Sequence, residues 1–288
     1  MRLAHIGVNR LAAYTAVSLA LALLIWPAFG HAIEVWSTDE EFTYGFLIPP
    51  IALALLWLRR GALRRAVGDG QNGGLAVVAA AISLMLVSQR TGIHNLAGIA
   101  VTPLLIGVAA YLWGWRAARA IAFPSAFLIF GLGLYRGLLN SVGFALQDVT
   151  AFGAAWAGRL IGLDVMRDGL VLHSTSATPE YAFVVAEACS GMSSLLSLLA
   201  LAAIWVYATR GPLVGRAAVF AGVLPLVVIA NTARVTLVVL VAAHFGEDAA
   251  LGFFHGVSSL LLFGLALGGL LVLSRTVGCR LPSFAPSF

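Results

Sequence analysis

Long apolar runs, broken by short polar links rich in arginine, set the pattern of this chain. Residues 11–29 form the first run, followed by an acidic loop with Glu34, Asp39, Glu40 and Glu41. Further runs lie at 42–58, 75–88, 96–113 and 121–135, then at 187–208, 217–243 and 253–274. Most are continuous and about as long as a membrane-crossing helix requires, which is some 20 residues. They lack the alternating dyads of an outer-membrane barrel. The pattern predicts an all-α integral membrane protein of about eight transmembrane helices, one polytopic domain over 1–288. The first run lacks a small-residue cleavage site and reads as a span rather than a removed signal.

Two stretches depart from that pattern. Residues 136–163 are apolar but carry Gln147, Asp148 and Arg159, and 164–180 is the longest clearly polar stretch. Around 174–179 the sequence alternates in the manner of strands, with Leu170 and Leu172 on one side and Tyr181, Phe183 and Val185 on the other. The expectation is an amphipathic or re-entrant segment at 136–163 and a small hairpin over 164–186, both on the outer face.

Composition strengthens this reading. Of 288 residues 61% are hydrophobic and only 10% charged, too apolar for a soluble domain of this size. All 17 basic residues are arginine, so Schiff-base and Ser–Lys chemistry are excluded. With both termini cytoplasmic, twelve arginines (2, 10, 59, 60, 64, 65, 116, 119, 210, 216, 275 and 280) fall inside, and Asp69 is the one acid of twelve that does. If 136–163 crossed the membrane, Arg210, Arg216, Arg275 and Arg280 would face outward, which is why it is placed on the outer side. Trp57, Trp113, Trp115 and Trp205 then mark the inner interface, with Trp26 and Trp36 near the outer. The arginines are dispersed over short loops, which argues against nucleic acid as a partner. Cys189 and Cys279 fall on opposite sides, which excludes a disulfide scaffold.

The chemistry concentrates in 185–195. Glu187, Cys189 and Ser190 stand where an apolar helix begins, so free backbone N–H groups and the helix dipole favour a thiolate at Cys189. Downstream, Asn231 and Arg234 lie three residues apart within one apolar run, and His255 opens another. Arg210 follows Cys189 by 21 residues, Arg275 follows His255 by 20, and Arg234 follows Arg216 by 18. As helix these counts are about 27–32 Å, against a hydrocarbon core of about 30 Å. Three residues on three neighbouring helices are thus expected at one level, near the outer edge. Each has a plainer reading: a small apolar filler for Cys189, a satisfied polar edge for His255, an outward-snorkelling anchor for Arg234. Glu187 could be an interfacial carboxylate, or pair with Arg234, or orient His255. As chemistry, Cys189 would attack a carbonyl and form a thioester, His255 would move protons, and Arg234 would stabilise an oxyanion or hold substrate. One Cys and one reachable His fall short of a metal site, the remaining histidines being scattered. No cofactor is called for.

These residues resemble a family. Glu-Ala-Cys-Ser-Gly, then Asn-x-x-Arg, then a His opening the last helix, is the signature order of the exosortase/archaeosortase family. Tyr44–Gly45–Phe46–Leu47–Ile48–Pro49–Pro50 followed by Trp57–Leu58–Arg59–Arg60 is similar to its N-terminal motif, and Phe144–Ala145–Leu146–Gln147 to its segment before the outer hairpin. The likeness runs from about Trp36 to His255. Departures are Tyr44 where His is common, Ser193 where a basic residue is frequent, and 131–135 in place of a Pro-rich end. The resemblance implies a membrane cysteine peptidase or transpeptidase of the bacterial inner membrane with catalytic Cys189, His255 and Arg234. It also implies partners: proteins ending in a Pro-Glu-Pro type motif, a transmembrane helix and a basic tail, passed to a lipid, a polysaccharide or water. The rivals are a multi-span transporter, in which Arg234 and His255 would line a path, and a lipid-modifying acyltransferase using Cys189.

Overall fold

The computed structural model describes residues 2–132, 136–174, 181–185, 192–246, 248–250 and 259–280, with the side chains of 2–14, 40, 136–140, 183 and 259–261 left aside. The chain forms two compact units, Met1–Tyr135 and Arg136–Phe288. Helices dominate both. Five described stretches are long and apolar enough to cross a membrane, Thr15–Thr38, Glu41–Leu58, Gly73–Thr91, His94–Trp113 and Leu213–Phe245, with shorter apolar helices at Met192–Ala208 and Leu262–Thr276. The protein is a multi-pass, all-α membrane protein.

In the first unit, α1 (Arg2–Thr38) leads through a 3-10 helix (Glu40–Leu47) into α2 (Ile48–Leu58) and α3 (Arg60–Ala66). Next come α4 (Gly73–Thr91), α5 (His94–Trp113), α6 (Trp115–Phe127) and α7 (Ile129–Leu132). Helix α1 runs well past the expected end of the first apolar stretch. Ala28, Ala32 and Trp36, spaced four apart, are all buried on one face, so the helix continues as far as that face has something to pack on. The Tyr44–Gly45 motif acquires a structural reason here. The Tyr44 hydroxyl donates to the Phe130 carbonyl at 3.1 Å, and the Trp36 indole donates to the Gly131 carbonyl at 3.1 Å. A Cβ on Gly45 would run into the Trp36 ring, so only glycine fits.

The expected span at 121–135 is the one that departs most. Helix ends at Phe127 and a separate short turn follows at Ile129–Leu132. The Ser125 carbonyl accepts the Thr102 hydroxyl at 2.9 Å and the Leu128 amide at 3.3 Å. The i→i+3 bond tightens the chain there, one residue after Pro124 has already removed a helical donor.

The second unit opens with α8 (Arg136–Leu160), a single 25-residue helix across the segment read as amphipathic. Strands β1 (Met166–Asp168), β2 (Val171–His173) and β3 (Ala182–Val184) follow as an antiparallel sheet in that order, with Leu172 opposite Phe183 and Arg167. The alternation seen in the sequence falls on β2, β3 and the residues flanking them. Helices α9 (Met192–Ala208), α10 (Leu213–Ala221), α11 (Val223–Phe245) and α12 (Ser259–Thr276) complete the chain.

Helices α10 and α11 together make one apolar stretch of 33 residues, about 50 Å long, well beyond a hydrocarbon core of about 30 Å. One face of its second half is covered by protein, although Phe245 at the tip is exposed. Val235, Val238, Val239 and Ala242 form one buried cluster with Ala151, Ala154 and Ala155 of α8 and with Val165, Leu172, Tyr181 and Val185 around the sheet. The alanines let α8 lie close against α11, and Gly153 closer still. A Cβ on Gly153 would sit 2.8 Å from Thr232 Cγ2. Gly153→Val is expected to force the two helices apart and cost about 1–3 kcal/mol, read as a lower thermal midpoint of the detergent-purified protein. An unchanged midpoint would mean that the α8–α11 contact is loose.

Candidate active site

Arg234 and Asn231 sit on the same inward face of α11, one turn apart. Arg234 is only 4% exposed and Asn231 fully buried, among Val227, Ala230, Val235 and Val238. That rules out snorkelling to water as the way this charge is accommodated. A buried guanidinium costs several kcal/mol unless the protein supplies it with acceptors, so its surroundings must be polar enough to hold it.

Helix α8 supplies the facing wall. The Asn231 amide Nδ2 donates to Thr150 Oγ1 at 3.1 Å, and Thr150 is fully buried. Gln147, one turn before Thr150, is buried as well. Polar residues on α8 therefore meet polar residues on α11, while the opposite face of α8 exposes Phe152, Trp156 and Leu160. The outward edge is tied to the sheet: Arg167 forms an ion pair with Asp148 and stands 5.9 Å over the Phe152 ring.

The level of Arg234 follows from how the helices are registered. On α11 and α12, Gly222 lies against Leu273 and Gly269 against Leu226, which fixes an antiparallel register. Carried along both helices, it sets Arg234 opposite position 261. On α9 and α12, the Trp205 indole donates to Ser274 Oγ at 2.7 Å, a parallel register that sets position 261 opposite Met192. Followed along these helices, Arg234 lies towards the Met192 end of α9 rather than its Ala208 end. The basic ends of α9 and α12 are clamped as well, by backbone bonds between Arg210 and Arg280 at 2.9 and 3.0 Å.

In the sequence, Cys189 falls between β3, which ends at Val184, and Met192, the first described residue of α9. Cys189, Glu187, Ser190 and His255 themselves lie outside the described residues. The sheet that precedes them in the chain is firmly anchored. The Val185 amide donates to the Leu170 carbonyl at 2.8 Å, and the Tyr181 hydroxyl donates to the Asp164 carbonyl oxygen at 2.6 Å. Burial, and then the Asp164 carboxylate, push the Tyr181 phenol above its ordinary value of about 10. It therefore stays protonated and donating; the stability this adds is full below the unfolded value and is lost only as alkali drives pH through the raised one.

Three features were not visible beforehand. Thr150 was missed, although polar or small residues at 147, 150, 151, 154 and 158 trace one face of α8. The histidines read as scattered are not all so: His31 and His94 meet with ring centroids 4.6 Å apart in the first unit. Among the described residues no group of three or more His, Cys, Asp or Glu could hold a metal ion. Cys279 is a buried free thiol, packed near Gly211, so its reactivity is governed by burial as much as by side.

Comparison with known proteins adds one finding. Residues 36–272 match the transmembrane exosortase family, which spans both units and the whole α8–α11 region. No curated protein and no solved structure matches the chain.

Proposed function

The chain belongs to the transmembrane exosortase family, and from that premise we propose that it is a cysteine peptidase and transpeptidase acting on C-terminal sorting signals. The observation that carries the reading is the buried Arg234, held one turn from the buried Asn231. A cation kept out of water is suited to a charge that develops on a substrate, not to one already present in solvent.

The roles then follow from chemistry. The Cys189 thiolate attacks the scissile carbonyl carbon, forming an S–C bond, and the oxygen takes the negative charge. Arg234 stabilises that oxyanion. The tetrahedral species collapses with loss of the C–N bond, and His255 gives its proton to the departing amine. The product is a thioester on Cys189 and a released peptide that carries the transmembrane helix and basic tail. An acceptor hydroxyl, amine or water then attacks the thioester, yields its proton to His255 and expels the thiolate. Glu187 and Ser190, close to Cys189 in the sequence, have supporting roles, Glu187 as a partner for Arg234 or His255. The site faces the outer side of the cytoplasmic membrane, as the arginine distribution requires.

The test is a processing assay. The protein is co-expressed with a reporter ending in a Pro-Glu-Pro type motif, a transmembrane helix and an arginine-rich tail. The expected result is loss of the C-terminal tail from the reporter, dependent on the motif and on the periplasmic placement of the scissile bond. A reporter that keeps its tail in the presence of the folded protein, across a panel of motif variants, would contradict the proposal.

A further inference from the structure

We propose that Thr150 is a positioning residue of the active site, fixing the Asn231 amide and through it the inward face of α11 that presents Arg234. This inference rests on the reading of the site just given and extends it to a helix on which it named no residue. Three observations carry it. The Asn231 Nδ2 to Thr150 Oγ1 bond, at 3.1 Å, joins two side chains with no solvent exposure at all. Helix α8 approaches α11 closely at this point, because Gly153 leaves room for Thr232 and the small Ala151 and Ala154 flank the contact. Finally, α8 reaches the first turn of α9 too: the Met192 ε-methyl lies beside Gly143. One rigid helix thus touches both the segment that bears Arg234 and the helix that follows Cys189.

The physical argument is orientational. An asparagine amide can turn about its last torsion, and in a water-free setting its direction is set by the hydrogen bonds available to it. Thr150 supplies an acceptor at a fixed place on a helix whose backbone is pinned by close packing. Asn231 then cannot swing, and the turn of helix leading to Arg234 is held in one arrangement. Displacement of an oxyanion donor by about 1 Å costs on the order of 10²-fold in rate, while substrate binding far from the scissile bond is untouched. Valine has nearly the shape of threonine and lacks the acceptor. Serine keeps the acceptor and loses only a methyl group.

The experiment is a double-mutant cycle on steady-state processing of the reporter by purified, detergent-solubilised protein. Thr150→Val is expected to lower kcat at least tenfold with KM within about twofold of the parent. Thr150→Ser is expected to recover kcat to within about threefold. In an Asn231→Ala background, Thr150→Val is expected to cause no further loss, because the threonine acts through the asparagine. Should Thr150→Val not accumulate as a monodisperse protein, Thr150→Ala takes its place in the same cycle. A kcat within twofold of the parent, a serine variant as impaired as valine, or losses that multiply in the double variant would each overturn the role of Thr150. Cys189→Ala is measured alongside. Turnover that survives it brings down the transpeptidase reading on its own account. A dead Cys189→Ala beside an unaltered Thr150→Val overturns only the assignment of Thr150.

Discussion

Cys189→Ala is expected to insert, fold and bind substrate, and to process none of it. Alanine is smaller than cysteine and needs no new space. The thiol is the one group in the proposed site able to form a covalent intermediate at neutral pH, so its loss removes the pathway rather than slowing a step. Loss of a nucleophile from a comparable acyl-transfer site costs on the order of 10⁶-fold, and the measurable floor of a processing assay is reached well before that. Cys189→Ser is expected to be nearly as inert. A hydroxyl gains nothing useful from a helix N-terminus, because its pKa starts too far above neutrality for the dipole to bring it within reach. The check is reporter processing normalised to the amount of monodisperse protein. Near-normal turnover in the alanine variant would remove covalent catalysis at this residue.

Arg234→Lys is expected to be the second large effect, although charge is formally conserved. The residue is 4% exposed, on a helix face lined by Ala230, Asn231, Val235 and Val238. A planar guanidinium holds two acceptor oxygens at fixed angles, and it keeps its proton when buried. An ammonium in the same place is a point charge on a flexible stem, and desolvation drives it towards the neutral amine. A loss of about 10²–10³-fold in kcat is expected, the range seen when an oxyanion donor is removed. Arg234→Met should be at least as inactive, since it keeps a side chain of similar length and removes the charge altogether. The pair of variants separates catalysis from stability: processing and thermal midpoint are measured on the same preparations. A fully active lysine variant would reduce Arg234 to a charge anchor.

The parts of this protein that were legible in its sequence are those governed by transfer from water to lipid. Five of the expected spans overlap a described helix long and apolar enough to cross a membrane, and two more overlap shorter apolar helices, because about 20 consecutive apolar residues admit few alternatives. The break after Phe127 within the stretch at 121–135 was not readable, since Thr102 donates to the Ser125 carbonyl from another helix, a tertiary event with no local signature. The length of α1 was underestimated for a similar reason: the burial of Ala28, Ala32 and Trp36 outweighs the polar residues among them. Arg234 stood out in the sequence because a charge within an apolar run is expensive wherever it points. The same cost favours an inward direction over snorkelling, and the burial of Arg234 and Asn231 on α11 agrees with it. Thr150 was hidden altogether. A threonine in a helix that carries its own polar edge looks unremarkable until the partner helix is placed against it.

The central claim, that Cys189 is acylated during turnover, is tested most directly by trapping the intermediate. The protein is mixed with a saturating reporter, quenched in acid within the first turnovers, and its cysteine-containing peptides are weighed by mass spectrometry. The account predicts a mass increment on Cys189 equal to the reporter fragment upstream of the cleaved bond. Neutral hydroxylamine should discharge it, and it should be absent from Cys189→Ala. Processing at full rate with Cys189 unmodified at every time point would contradict the account.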